Sequence, residues 1–77
     1  MEIKSFIENF ADQFEDMDPS VLTPETEFKQ LEGWNSLVAL SIIAMIDEEY
    51  DVVVKGNEIT GATTIEDLFK TVQSKVE

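Results

Sequence analysis

The sequence feature that most constrains the fold is the apolar stretch Leu37–Ile46, which only Ser41 interrupts. It has about half the length of the roughly 20 apolar residues that cross a membrane. We interpret the stretch as a helix that is apolar nearly all round, and such a helix lies in the middle of a small fold. The sequence therefore predicts a central helix that begins at Ser36 and closes on the acidic run Asp47–Asp51.

Two amphipathic segments, one near each end of the chain, are predicted to be the other long helices. The first should end by Asp16, because Asp18 and Pro19 form a turn signal. The last is predicted to have Thr63 as its N-cap, with Glu66 as the second member of a capping box. Apolar stripes at helical spacing run through both segments: Ile3, Phe6, Ile7, Phe10 and Phe14 in the first, and Ile65, Leu68, Phe69, Val72 and Val76 in the last.

The connections are predicted to be ordered but to contain no strand. The long first loop carries spaced apolar residues, Phe28 among them, that anchor it over the core. Nothing else in the chain could pair with Val52–Val54, so we expect an extended connector there. Gly56 and Gly61 bracket about one helical turn. The expected fold is a single all-α domain over residues 1–77, a small four-helix bundle with three main helices, one short helix and a long first loop.

The composition excludes several classes of function. The chain has no cysteine and no histidine, which removes disulfides, thiolate zinc sites, cysteine nucleophiles and imidazole bases. Its net charge of −12, from 5 basic and 17 acidic residues, repels nucleic acid and anionic lipid. A calcium-loop spacing that starts at Asp16 has Val21 where the sharp turn needs glycine. We therefore expect a soluble, cytoplasmic monomer with no catalytic residues, no metal, and no nucleic acid or membrane as partner.

Ser36 is the one candidate for a modified residue. In the simplest interpretation, Asn35 or Ser36 caps the central helix by accepting a hydrogen bond from its first turn. A helix N-terminus also stabilises negative charge, so a phosphodiester formed on the Ser36 hydroxyl would be well placed. At the other end of the helix the acids Asp47–Glu49 oppose the helix dipole, which indicates a docking surface for basic partner proteins.

In this order and spacing, the residues resemble the acyl carrier protein family along the full chain. The resemblance rests on Thr23–Phe28 in the loop, Asn35-Ser36-Leu37 and Asp47–Asp51 at the two ends of the apolar helix, and Thr63–Ile65 before the last helix. It implies a free-standing carrier, not itself an enzyme, on which a phosphopantetheinyl transferase moves 4'-phosphopantetheine from coenzyme A onto Ser36. The thiol of that arm would hold acyl groups as thioesters. Its partners would be acyl-loading, synthase or acyltransferase enzymes of fatty-acid, polyketide or related pathways.

The chain departs from the family pattern beside the serine. The family usually has aspartate before it, whereas Asn35 keeps the capping ability without the charge. The early exposed positions of the helix are often acidic in fatty-acid carriers, whereas here we expect apolar or neutral residues to face solvent. The predicted partner-binding residues are Val38, Ser41 and Met45 near the serine, and Asp47 and Glu48 at the far end. The candidates for an acyl-chain pocket, which could equally be plain core, are Phe28, Ile43, Ile46, Val54, Ile59 and Ala62.

Two alternatives stay open at the level of the sequence. The cargo could be an aminoacyl group, as in related D-alanyl and peptidyl carriers, instead of an acyl chain. The same fold could also act, unmodified, as an acidic module that binds basic proteins. For a carrier, we expect partner enzymes whose docking patches are basic and apolar.

Overall fold

The structure is a computed structural model that describes residues 2–76. The α-helices in that range are α1 (Ile3–Ala11), α2 (Ser36–Tyr50), α3 (Gly56–Gly61) and α4 (Ile65–Val76). Two single 3₁₀ turns lie in the long loop between α1 and α2, at Pro19–Val21 and Phe28–Gln30. The described residues contain no strand, so the predicted all-α bundle of three main helices and one short helix is confirmed.

The core forms where α1 and α4 pack their apolar stripes against α2. The ring of Phe6 meets the ring of Phe69 edge-on, with centroids 5.5 Å apart, and joins α1 to α4. Phe10 meets Phe28 in the same way, also at 5.5 Å, which ties the long loop to α1. The predicted stripes are confirmed with three departures: Ile3 is half-buried, Phe14 is buried but lies beyond the end of α1, and Val76 is 48% exposed at the end of α4. The buried residues of the three long helices are Phe6, Ile7, Phe10, Ala11, Ile42, Met45, Ile46, Ile65, Leu68, Phe69 and Val72.

The central helix is covered on one side only, which corrects the expectation of a helix enclosed by the rest of the fold. α1, α3 and α4 all contact α2, yet Leu37 and Leu40 are 74% and 61% exposed. The three helices that contact α2 leave the side that carries Leu37 and Leu40 open to solvent. Within residues 2–76, no helix is long and apolar enough to cross a membrane.

The turn after α1 keeps its last aromatic residue in the core. α1 ends at Ala11, within the predicted limit at Asp16. The N–H groups of Gln13 and Phe14 then donate to carbonyls three residues back, at 3.1 and 3.0 Å. These tighter turns leave Phe14 buried, and the ring is therefore available to pack against the start of α2.

The capping box of α4 lies one residue later than predicted. Its members are Thr64 and Asp67, which corrects the assignment of Thr63 and Glu66. The Thr64 hydroxyl accepts a hydrogen bond from the Asp67 N–H at 3.1 Å, and the Asp67 carboxylate accepts one from the Thr64 N–H at 3.2 Å. This reciprocal pairing satisfies two backbone donors at the start of the helix.

The long loop sets the position of this helix start. The N–H of Ile65 donates to the Thr26 carbonyl at 3.0 Å, and the N–H of Glu66 donates to the Pro24 carbonyl at 2.9 Å. First-turn N–H groups have no acceptor inside their own helix. Because the loop supplies acceptors at these two positions, α4 begins at Ile65.

The connector between α2 and α3 has neither helix nor strand, as predicted. Val52 and Val54 are buried and Val53 between them is exposed. Its side chains thus alternate as they do in a strand, although no segment of the described range pairs with it.

α3 is short and is held by residues from two neighbouring segments. The Glu58 carboxylate accepts a hydrogen bond from the Lys55 N–H at 3.0 Å and caps the first turn. The same carboxylate lies 3.2 Å from the Lys75 ammonium, which links α3 to α4. At the other end, the Lys29 ammonium donates to the Thr60 carbonyl. These contacts hold α3 against α4 and the long loop.

The Asp67 cap makes a prediction about pH. The N–H groups of Thr64 and Thr63 hold the pKa of the Asp67 carboxyl below its ordinary value of 3.8. A lowered folded-state pKa means that the carboxylate stabilises the fold above pH 3.8 and loses this effect as the pH falls through the folded-state value. In urea unfolding at neutral pH, Asp67→Asn should therefore be less stable than the wild type. The difference should shrink towards zero at pH values below 3.8.

Asp47→Asn is the matched control for Asp67→Asn. Asp47 is exposed near the C-terminus of α2, where a negative charge opposes the helix dipole. Its replacement should leave stability unchanged or slightly higher at neutral pH. A stability gap between wild type and Asp67→Asn that did not change with pH would contradict the capping role of the carboxylate.

Candidate functional site

Ser36 is the first residue of α2, and its exposed hydroxyl forms no hydrogen bond with any described residue. The helix is capped by the residue before it. Oδ1 of Asn35 accepts a hydrogen bond from the Val38 N–H at 2.9 Å, and Nδ2 of Asn35 donates to the Gly33 carbonyl at 3.3 Å. Of the two capping residues that the sequence allowed, the structure uses Asn35. The Ser36 hydroxyl therefore takes no part in the cap.

The segment that leads into Ser36 is held in place by aromatic packing. Gly33 has a φ of +93°, a backbone conformation that side-chain-bearing residues rarely adopt. The Trp34 ring then packs edge-on against Phe28 at a centroid distance of 5.2 Å and against Phe14 at 6.3 Å. Because both phenylalanines are buried, Ser36 follows a segment that is anchored in the core.

A groove of about 770 Å³ begins at Ser36 and runs between α2 and α3. Its polar residues besides the serine are Asn35, Asn57 and Thr60, and its apolar residues are Trp34, Ala39, Leu40, Ile43 and Ile59. Gly56 lines the groove on the α3 side. A mostly apolar lining with a few polar groups suits the arm that the resemblance implies, because that arm carries amide and hydroxyl groups among methylene and methyl groups.

The residues that line this groove include no titratable side chain. The carboxyls whose pKa is lowered, Asp18, Glu58 and Asp67, owe the shift first to backbone N–H groups near helix starts, and none of them lines the groove. A serine nucleophile needs a base within hydrogen-bond reach. The residues that line the groove supply none for the Ser36 hydroxyl. Within residues 2–76, no group of three or more acidic, histidine or cysteine side chains is placed to hold a metal ion.

The predicted partner face of α2 needs one correction. Met45 is only 6% exposed and belongs to the core, so the expectation that it faces solvent is wrong. Val38 and Ser41 are half-buried. Asp47 and Glu48 are exposed, as expected.

The solvent-facing residues of α2 change from apolar to acidic along the helix. Leu37, Leu40 and Ala44 are exposed at spacings of three and four, and Asp47 and Glu48 continue the same face. The exposure of Leu37, Leu40 and Ala44 was not predicted from the sequence. A stretch that is apolar on every side has no hydropathy period from which its buried face can be read. The only signal, the polar residue at position 41, points to a half-buried position.

The predicted acyl-pocket residues fall into two groups. Ile43 and Ile59 line the groove beside Ser36. The others are buried in the core and do not line it: Phe28, Ile46, Val54 and Ala62. The groove also contains residues that were not predicted from the sequence. They come together only because α2 packs against α3, and spacing along the chain does not reveal such a contact.

A scan against protein-family models matches residues 5–72 to the family described as phosphopantetheine attachment site. The match covers well over half of the chain and includes Ser36 together with the groove beside it. A search of curated proteins and a search of solved structures found no match.

The Asn35 cap leads to a stability prediction. Asn35→Ala removes the acceptor of the Val38 N–H and should lower the free energy of unfolding by about 1 kcal/mol. Asn35→Asp keeps an acceptor at the same place and should retain that stability, because a negative charge is favourable at a helix N-terminus. Urea unfolding of both variants measures the effect.

Asn57→Ala provides the control for Asn35→Ala. Asn57 is an exposed residue of α3 whose side chain forms no hydrogen bond within residues 2–76, so its loss should change stability by less than about 0.5 kcal/mol. If Asn35→Ala were as stable as Asn57→Ala, the cap would not be what fixes the start of α2.

Proposed function

This chain belongs to the phosphopantetheine-attachment family, whose members bind 4'-phosphopantetheine covalently, and we propose that Ser36 is the attachment residue. The observation that carries the proposal is the Ser36 hydroxyl itself. It is exposed at a helix start, it is free of hydrogen bonds within the described chain, and it opens onto a mostly apolar groove. The bound arm would supply a terminal thiol, which can hold an acyl group as a thioester.

The attachment step needs a second protein. The Ser36 oxygen would attack the diphosphate of coenzyme A, form a phosphodiester with the phosphopantetheine half and release adenosine 3',5'-bisphosphate. The serine proton has to pass to a base of the transferase, because the groove residues of this chain offer no titratable side chain. Ser36 is thus proposed to be a substrate of that enzyme.

The start of α2 is suited to the anion that this step leaves on Ser36. The N–H groups of Ser36 and Leu37 have no acceptor among the described residues, and they lie at the positive end of the helix dipole. A negative charge at position 35 would stand next to the phosphodiester. Asn35 provides the cap without that repulsion.

The cargo we propose is an acyl group, delivered to partner enzymes of fatty-acid, polyketide or related acyl-transfer pathways. The apolar part of the groove lining, which includes Ile43 and Ile59, supports this choice. Carriers of this family interact in general with enzymes that modify them and with synthases. The chain itself is proposed to act as a carrier domain over its length and to catalyse no reaction.

The partner face that we propose is the exposed side of α2. Leu37, Leu40 and Ala44 form its apolar part beside Ser36, and Asp47 and Glu48 form its acidic end. A complementary enzyme surface would be apolar where it receives the serine and basic about three helical turns away.

Attachment at Ser36 is tested by mass spectrometry. After incubation with coenzyme A and a broad-specificity phosphopantetheinyl transferase, the wild type should gain the mass of one arm. Ser36→Ala should gain none, although its stability should stay within about 0.5 kcal/mol of wild type because the side chain is exposed. Ser41→Ala, which changes another serine of the same helix, should gain the arm as the wild type does. The proposal is wrong if Ser36→Ala still gains the arm or if the wild type gains none with several transferases.

The apolar character of the partner face predicts a weak salt dependence of docking. The rate constant kcat/KM of the transferase for the wild type should fall only slightly between about 0.05 and 0.5 M salt. Salt weakens attraction between exposed charges, and the part of the face beside the serine is apolar. Ala44→Glu places a carboxylate on the same exposed face and should make the dependence steeper. A wild-type loss as steep as that of Ala44→Glu would show that the acids already dominate docking.

A further inference from the structure

We propose that Gly56 sets the width of the groove beside Ser36 and keeps it open for an uncharged acyl chain, an inference that rests on the function proposed above. Gly56 is the first residue of α3 and lines the groove opposite α2. It is therefore one of the few positions at which a side chain could narrow the space beside the attachment residue.

The fold itself does not require glycine at this position. Gly33 is the glycine with a positive φ, whereas the backbone of Gly56 is one that any residue can adopt. A Cβ added at Gly56 would meet no atom of the chain within 4 Å. Glycine is also the least favourable residue in a helix after proline. Neither backbone geometry nor internal packing explains the glycine, whereas its place among the residues that line the groove would.

The groove lining indicates which cargo this space suits. Its side chains are apolar or neutral, and none of them is titratable. An ammonium group placed there would lose its hydration without gaining a counter-ion, which is costly. An acyl chain would lose only unfavourable contact with water. The groove therefore favours an acyl chain over an aminoacyl group, although the acidic exterior of the molecule would attract the latter.

Gly61 makes a matched control possible. It is the last residue of α3, its φ is not positive, and an added Cβ would again meet nothing within 4 Å. Unlike Gly56, it does not line the groove. The same substitution can thus be made at two glycines of the same short helix, of which only Gly56 lines the groove.

The experiment compares melting temperatures of protein loaded by the transferase from coenzyme A or from octanoyl-coenzyme A. In the wild type and in Gly61→Leu, the octanoyl form should melt at least about 3 to 6 °C above the form with the bare arm, the shift expected if only one methylene of the octanoyl chain were buried in a domain of this size. In Gly56→Leu this rise should be lost. Gly56→Ala, which adds one methyl group, should retain part of it and serves as the test if Gly56→Leu does not accept the arm.

The outcomes separate this inference from the proposed function. A wild type that accepts no arm contradicts the function. Full loading with an equal rise in the Gly56 and Gly61 variants overturns the role of Gly56. Full loading with no rise in the wild type overturns the sheltering of an acyl chain in the groove. An arm that carries 8-aminooctanoyl should give no rise in the wild type, and a rise equal to that of octanoyl would overturn the preference for uncharged cargo.

Discussion

The hydrogen bond from the Val38 N–H to the Asn35 side chain is the interaction on which the site depends. It begins α2 at Ser36 and supplies the cap from a neighbouring residue, so the serine hydroxyl is left unused. The Trp34 ring, packed on Phe28, holds the same segment against the core. A cap made by Ser36 itself would begin the helix one residue later, at Leu37. It would also engage the one hydroxyl that the proposed function needs.

The proposed roles of this chain and of its partner enzymes follow from the chemistry of the site. Ser36 has an exposed oxygen at a helix N-terminus, which would stabilise the anion of the proposed phosphodiester, and the groove beside it could receive the proposed arm. The residues that line the groove supply no base, so the proposal assigns the attachment step to another enzyme. Because α2 is covered on one side only, Leu37 and Leu40 leave an exposed apolar surface beside the serine, and this surface is the proposed docking face.

Much of this could be predicted from the sequence, and the failures have physical causes. The stripes of α1 and α4 have a clear helical period, and Ser36 follows a glycine break, so the bundle and its candidate residue were predictable. α2 has no such period, and Met45 was therefore assigned to the wrong face. The α4 cap was misplaced by one residue because Thr63 and Thr64 are both capable caps. Carbonyls of the distant loop, at Pro24 and Thr26, decide between them. The groove depends on contact between α2 and α3, which no local pattern shows.

The central claim, that Ser36 holds the arm, is tested most directly by locating the modification in protein isolated from its own cells. Fragmentation of its peptides by tandem mass spectrometry should place 4'-phosphopantetheine on Ser36, while the peptides with Ser5, Ser20, Ser41 and Ser74 should be unmodified. An arm on any of those other serines, or a Ser36 peptide found only without it, would contradict the account.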